Sequence, residues 1–318
     1  MRHLISLKEQ SRQDIIDILN LASKIKQSYK NGVETPYLKN KSLIMLFEKT
    51  STRTRLSFEA GMTELGGHAI FLDARTTQLG FSDFADEIKA IMGMGDVLMF
   101  RALRAENVKL AASFNLAPVI DGCSEKYHPC QALGDILTMS EIAGSLEKIK
   151  KVVWLSIENN VSNSLMLACA KLGIDFFVAS PERHSASLDN ELVAEAKASG
   201  KVHYVADLKS ALEGADFIHT DTWLDMEFFE NGKVKPEFKE EYERRLKVFR
   251  PYQINGDLIK NYCPEAKIMH CMPMHISYEI ARDAIDSPNA VIFDQARNRK
   301  HVQKGILVWL LEKSGLLS

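Results

Sequence analysis

The stretch KSLIMLFEKTSTRTRLSFEAGMTELGGHAIFL, Lys41–Leu72, decides the fold. Lys41 to Phe47 is a short apolar run with charges outside it, the pattern of a buried strand. Arg55 to Leu65 reads as a helix stopped by Gly66-Gly67, and His68-Ala-Ile-Phe-Leu72 is the next strand. The same rhythm runs on both sides. Upstream, Ile15, Ile16, Ile18, Leu19, Leu21 and Ile25 give residues 12 to 27 a helical stripe. Downstream come a strand at Asp96–Phe100, a helix near Asn107–Phe114, a strand at Ala117–Asp121 and a helix from Pro129 to about Ile142. A second series opens at Val152–Ser156. It continues through a helix after Asn160, a strand at Ile174–Val178, a helix near Leu188–Ala198 and a strand at Asp216–His219. Strands at Lys267–His270 and Ala290–Phe293 and a helix from about Asn298 to Lys313 close it. Such alternation predicts an α/β protein of two doubly wound parallel-sheet domains, dividing near residue 145.

The composition fits that reading. Length (318 residues) allows two domains, and 46% hydrophobic with 26% charged residues is ordinary for a soluble globular protein. Forty basic against 42 acidic residues excludes a strongly basic nucleic-acid binder by bulk charge. No apolar run reaches the ~18–20 residues of a membrane span. Charges scattered through the first ten residues exclude a signal or transit sequence. Five cysteines, with no C-x-x-C pair, point to a reducing compartment, so a cytoplasmic protein without a metal knuckle is expected.

Ligands of open α/β sheets bind beyond the carboxyl ends of strands, and the informative residues follow the apolar runs. Lys49-Thr-Ser-Thr-Arg-Thr-Arg55 sets hydroxyls and guanidinium groups at a helix N-terminus, which suits a phosphate dianion. A Ser/Thr cap with solvated arginines has the same letters, but two hydroxyls and two arginines at one junction favour the anion. The glycines of a nucleotide-binding Walker loop are missing. Arg101 follows a strand and points at the same rim. In His128-Pro-Cys-Gln131, Pro129 fits a first helical turn, so His128 and Gln131 stand at the helix start. A neutral His there can polarise a carbonyl; alone, it also fits a capping role. Asn159-Asn160 and Asp221 also sit after strands, as caps and turns do, and a carboxylate at 221 suits an ammonium group. Cys271, in His270-Cys-Met-Pro273, reads as a ligand-contacting thiol or core cysteine rather than a nucleophile. Arg297-Asn298-Arg299 opens the last helix.

Taken in order, Phe47–Arg55, Phe100-Arg101, His128–Gln131, Asp221-x-Trp223, His270–Pro273 and Asn298-Arg299 resemble the carbamoyltransferase family, and within it the ornithine branch. The resemblance spans nearly the whole chain. It implies a carbamoyl-phosphate domain (1–145, with 298–318 packing back on it) and a Rossmann-like amino-acid domain (146–297). The activity implied is carbamoyl transfer to L-ornithine, with no cofactor and no metal, in homotrimers or multiples of trimers with shared active sites. Carbamoyl phosphate would be held by Ser51, Thr52, Arg53, Thr54, Arg101, His128, Gln131, Cys271, Met272 and Arg299. Gln78 would reach into a neighbouring subunit's phosphate site. Arg53, Arg101, His128, Gln131 and Cys271 would form the catalytic set, and Asn160, Asp221, Asp225 and Met226 would hold ornithine.

The departures from the family pattern all lie on the acceptor side. Asp225 and Glu227 replace the usual Ser and Gly, Ser156-Ile-Glu158 replaces Gly-Asp-Gly, and Met274–Tyr278 replaces Ala-x-Arg-Gly. Residues 228–247 form a longer, charged loop, expected to act as a lid over the acceptor. An added carboxylate would favour an ammonium but oppose a carboxylate. Another amine acceptor, such as putrescine or an N-acylated ornithine, and a silent ligand-binding paralogue therefore stay open at this point.

Overall fold

A computed structural model describes residues 1–225, 228–230 and 233–317. The first half runs α1 (Arg12–Lys30), β1 (Ser42–Phe47), α2 (Thr52–Glu64), β2 (His68–Asp73), α3 (Phe84–Met92), β3 (Val97–Arg101), α4 (Ala105–Ser113), β4 (Val119–Asp121) and α5 (Pro129–Ala143). Its four strands form a parallel sheet in the order β2-β1-β3-β4. The second half begins with β5 (Lys151–Trp154), α6 (Asn160–Leu172), β6 (Asp175–Val178), α7 (Asn190–Ala198), β7 (Val202–Tyr204), α8 (Leu208–Leu212) and β8 (Phe217–Thr220). Two short antiparallel strands, β9 (Phe229–Glu230) and β10 (Lys233–Val234), and α9 (Lys239–Phe249) follow. Then come α10 (Gly256–Tyr262), β11 (Lys267–His270), α11 (Arg282–Ile285) and α12 (Ile292–Lys313). The second parallel sheet has the order β11-β8-β5-β6-β7.

Each sheet reverses strand order once, and the crevice at such a switch is where α/β sheets take ligands. In the first it lies between β1 and β3, whose carboxyl ends carry Lys49–Arg55 and Arg101. In the second it lies between β5 and β8, which lead into Ser156–Asn160 and Asp221.

Local signals fix the elements. Ser11 and Asp14 form a capping box at the start of α1, and Asn159 with Ser162 does so for α6. Pro129 occupies the first turn of α5, and Gly144, at φ 86°, ends it. The last helix joins the halves: α12 buries Val302, Ile306, Leu307, Trp309 and Leu310 against α1, α2 and α5, while Ile292 belongs to the core of the second sheet. A Cβ on Gly305 would stand 2.8 Å from the backbone of Ile18 and Ala22, so only glycine lets α12 lie that close to α1.

Three expectations change. Ala290–Phe293 is not a strand. Ala290 makes one isolated bridge to Ile268 and α12 begins at Ile292, with Ile292 buried and Phe293 turned outward. Four apolar residues suit a buried strand or a helix start equally, and the helical period wins. The second helix starts at Thr52, earlier than Arg55, so the basic junction is its first turn. The described residues of 228–247 form two short antiparallel strands and most of a helix rather than a loop, the helix supported by Glu241 with Arg244 and Arg245. Among the described residues no helix is long and apolar enough to cross a membrane, and the five cysteines are unpaired.

Candidate active site

Between β1 and α2 the chain turns so that Ser51 caps the helix in extended conformation, its Oγ donating to Thr54 Oγ1 at 3.0 Å. The first-turn N–H groups of a helix lack intrahelical acceptors and present positive charge. Thr54 Oγ1 also accepts Arg299 Nη2 at 3.1 Å, and Arg299 Nη1 donates to Gln131 Oε1 at 2.7 Å. The last helix and α5 are thus bound to the first turn of α2. Arg53 spans to the second half, donating to the Met272 carbonyl at 2.8 Å.

Burial, then the fields of Arg299, Arg101 and Arg53, hold the His128 imidazole well below its usual range, so it is neutral. Its backbone N–H donates to Ser164 Oγ at 2.8 Å, and its Nδ1 is buried without a partner among the described residues. A neutral imidazole ringed by three guanidinium groups suits a ligand that carries an anion beside a carbonyl. Desolvation also lowers Arg53 and Arg299 from the ordinary guanidinium value.

The second half faces this cluster with Asp221, His270, Cys271 and Met272. Asp221, buried after β8, accepts the Thr222 N–H at 2.8 Å and Asn159 Nδ2 at 2.7 Å. Burial and the neighbouring Asp221 push the Cys271 thiol well above its usual value, so it remains S–H and is no thiolate nucleophile. Asp221, His270 and Cys271 bring three ligand-type atoms within 4.8 Å of one another. However, His270 Nδ1 accepts the Met272 N–H at 2.8 Å and Nε2 faces Glu279 at 3.1 Å, which leaves the imidazole no lone pair for a cation.

The structure therefore gathers Ser51, Arg53, Thr54, Arg101, His128, Gln131, Asp221, Cys271, Met272 and Arg299 from both halves. Thr52 turns outward into a cleft of about 170 Å³ shared with Lys49, Arg55, Phe71 and Asp73. Gln78 is exposed on the turn after β2, its carbonyl accepting the Phe81 N–H at 2.9 Å. Two acceptor-side residues face elsewhere than expected. Asn160 donates to the Ser124 carbonyl at 2.6 Å, while its neighbour Asn159 touches Asp221. Asp225 is held between His184 Nε2 (3.3 Å) and Arg245 Nη1 (3.1 Å); burial alone would raise its carboxyl, and these two partners lower it instead. Glu158, the other added acid described, accepts Arg183 and the Tyr204 hydroxyl, both at 2.8 Å. Met226 and Glu227 lie outside the described residues.

Sequence reading missed Asp121, Asp135 and Gln295. Asp121, at the end of β4, is fully buried, its carboxyl raised to about 8 by desolvation despite donors at Ser124 and Cys123. Asp135 stands four residues after Gln131, so helical spacing placed both on one face; Gln295 carried no such signal.

Comparison with known proteins follows the same division. Residues 2–141 match the carbamoyl-P binding domain of the aspartate/ornithine carbamoyltransferases, and residues 148–310 match the Asp/Orn binding domain. The chain is 41% identical to the ornithine carbamoyltransferase of Methanospirillum hungatei, over 98% of this chain and 99% of that one. It is 40% identical to that of Bacillus subtilis, over 98% and 94%. The solved ornithine carbamoyltransferase from Pyrococcus furiosus superposes with a TM-score of 0.87 at 39% identity, covering 96% of each chain. With both domains matched in order and near-complete coverage on either side, this chain belongs to the aspartate/ornithine carbamoyltransferase family.

Proposed function

We infer that this protein is an enzyme that transfers the carbamoyl group of carbamoyl phosphate to the side-chain amine of L-ornithine, releasing L-citrulline and phosphate. The observation that carries the reading is the neutral His128 among Arg53, Arg101 and Arg299. Phosphate would lie on the first turn of α2, held by Ser51, Arg53 and Thr54, by the backbone N–H of Thr52, whose side chain faces outward, and by Arg299 from α12. Arg101 would bridge phosphate and carbonyl oxygen, with His128 and Gln131 on the carbamoyl group and the Cys271–Met272 segment closing over it. Asp221 would pair with the α-ammonium of ornithine.

The chemistry follows from these charges. The neutral δ-amine attacks the carbamoyl carbon, a C–N bond forms and the carbonyl oxygen becomes an oxyanion. Collapse breaks the bond to the phosphate oxygen, and the proton shed by nitrogen leaves with phosphate. Arg53 and Arg101 face both the oxyanion and the departing phosphate, with Thr54 and His128 as further hydrogen-bonding groups. No residue need form a covalent intermediate, so orientation and electrostatics supply the acceleration. Because Asp225 and Glu158 already have cationic partners, neither argues for an acceptor without a carboxylate.

Residues 1–145 with 298–318 would then form the carbamoyl-phosphate domain and 146–297 the ornithine domain. Shared sites in a trimer would receive Gln78 from a neighbour. The test is phosphate release from carbamoyl phosphate with ornithine, N-acetylornithine, N-succinylornithine, putrescine, lysine or aspartate. Saturable turnover with ornithine alone is expected; preference for another amine would keep the chemistry and overturn the acceptor. Arg101→Ala should abolish turnover, and unchanged rates would overturn the reaction itself.

A further inference from the structure

Asp135 is fully buried one turn beyond Gln131 on α5 and plays no part in the steps above. Its carboxylate accepts three side chains: Gln131 Nε2 and Gln295 Nε2, each at 2.7 Å, and His219 Nε2 at 3.1 Å. Trp154 stacks on His219 with centroids 5.1 Å apart, holding that donor in place. An amide has one oxygen edge and one nitrogen edge. With its nitrogen turned to Asp135, Gln131 offers its oxygen to Arg299. Gln295 likewise gives its nitrogen to Asp135 and its oxygen to the His270 N–H at 2.9 Å.

These bonds belong to a closed ring. From Asp135 it runs through Gln131, Arg299 and Thr54 into α2, through Arg53 to the Met272 carbonyl, and back by His270 and Gln295. One arm lies on the carbamoyl-phosphate side and the other carries Cys271 towards Asp221. Every link of this ring is a hydrogen bond between buried or half-buried groups or a step along the chain itself, so moving one arm moves the other. We propose that Asp135 is a positioning residue for carbamoyl transfer: through Gln131 and Gln295 it couples the carbamoyl-phosphate half of the site to the acceptor half. This rests on the function inferred above.

Two variants test it. Asp135→Asn puts an NH2 group where only acceptors fit, and Gln295→Met cuts the arm to His270 while leaving Gln131 in place. Turnover is measured with ornithine. Norvaline, ornithine without its δ-amine, is titrated with and without saturating carbamoyl phosphate, and melting curves confirm folding. In the wild type, carbamoyl phosphate should tighten norvaline binding. Asp135→Asn should lower kcat about 10²-fold, the scale of a 1 Å misplacement. Gln295→Met should bind carbamoyl phosphate alone within about threefold of wild type, yet lose at least fivefold of the coupling. A merely structural role would lower melting temperature without touching that coupling. Wild type without coupling, or folded variants that keep all of it, would overturn the proposal while turnover leaves the functional reading standing. A wild type that releases no phosphate with ornithine would overturn both.

Discussion

His301 is a buried imidazole away from the reacting groups, and it shows how a single residue ties stability to pH. Burial, then Lys304, Lys26 and Lys300, press its basicity down to about 3, whereas the unfolded chain regains the ordinary value near 6.5. A depressed folded value means that stability is intact above about pH 6.5 and is lost as pH falls towards 3, because only the unfolded chain takes up the proton. Removing the group removes that penalty. Urea unfolding of His301→Gln and wild type should move in the variant's favour by about 1–2 kcal/mol between pH 7 and pH 5; a gap that stays constant would refute the assignment. Arg299 makes a different point. Its fork serves Thr54 and Gln131 at once, a geometry that lysine cannot reproduce. Arg299→Lys should raise the KM for carbamoyl phosphate at least tenfold, with a smaller change in the ornithine KM, as initial rates would reveal. At this scale the gathering of Ser51, Arg53, Thr54 and Arg101 was legible, because they follow strands, whereas Thr52 and Gln78 face away from that cluster. Asn160 and Asp225 were not, since their partners, Ser124 on one side and His184 with Arg245 on the other, are set by tertiary packing.

Among the elements, α9 is the one the sequence concealed. Its string KEEYERRLKVF has few apolar positions, so periodicity gave no helix, yet Glu241 pairs with both arginines along one face. Phe249, Tyr242 and Leu246 pack on Trp223, Phe228 and Tyr278, and the Tyr242 and Tyr278 hydroxyls bond at 2.8 Å. Arg244 also reaches Glu182, and Arg245 reaches Asp225 and the Trp223 carbonyl. Asp225 thus anchors a helix to the chain just after Asp221. We expect Arg245→Ala to raise hydrogen exchange in 239–249 and the ornithine KM several-fold, leaving the carbamoyl phosphate KM within twofold. Equal changes in both constants would show that α9 does not belong to the acceptor side. The sheets themselves were legible because buried parallel strands are short apolar runs bounded by charge, and the run at Ala290–Phe293 failed only because four apolar residues carry no period.

For the whole molecule, the turn after β2 is informative: Phe81 is 90% exposed close to Gln78, a large apolar ring left facing solvent. If neighbours share sites, Arg53→Ala and Gln78→Ala each disable a different half of the same site. Mixed assemblies of the two, made by co-expression, should recover activity that neither has alone, whereas mixing without recovery would mean self-contained sites. Coverage of a different kind operates within the chain. The seat that α12 fills is built by α1, α2 and α5, all made long before it. During synthesis the first half must therefore wait, its groove of Ile18, Ala22, Phe58 and Leu133 uncovered, until Ile292–Lys313 emerges. Nascent chains halted at residue 290 should lose α1 and α5 to protease, and those extended past Lys313 should resist. Arg299 lies in that same segment, so its bonds to Thr54 and Gln131 and the packing of α12 on α1, α2 and α5 are made together, and a chain without Ile292–Lys313 has neither.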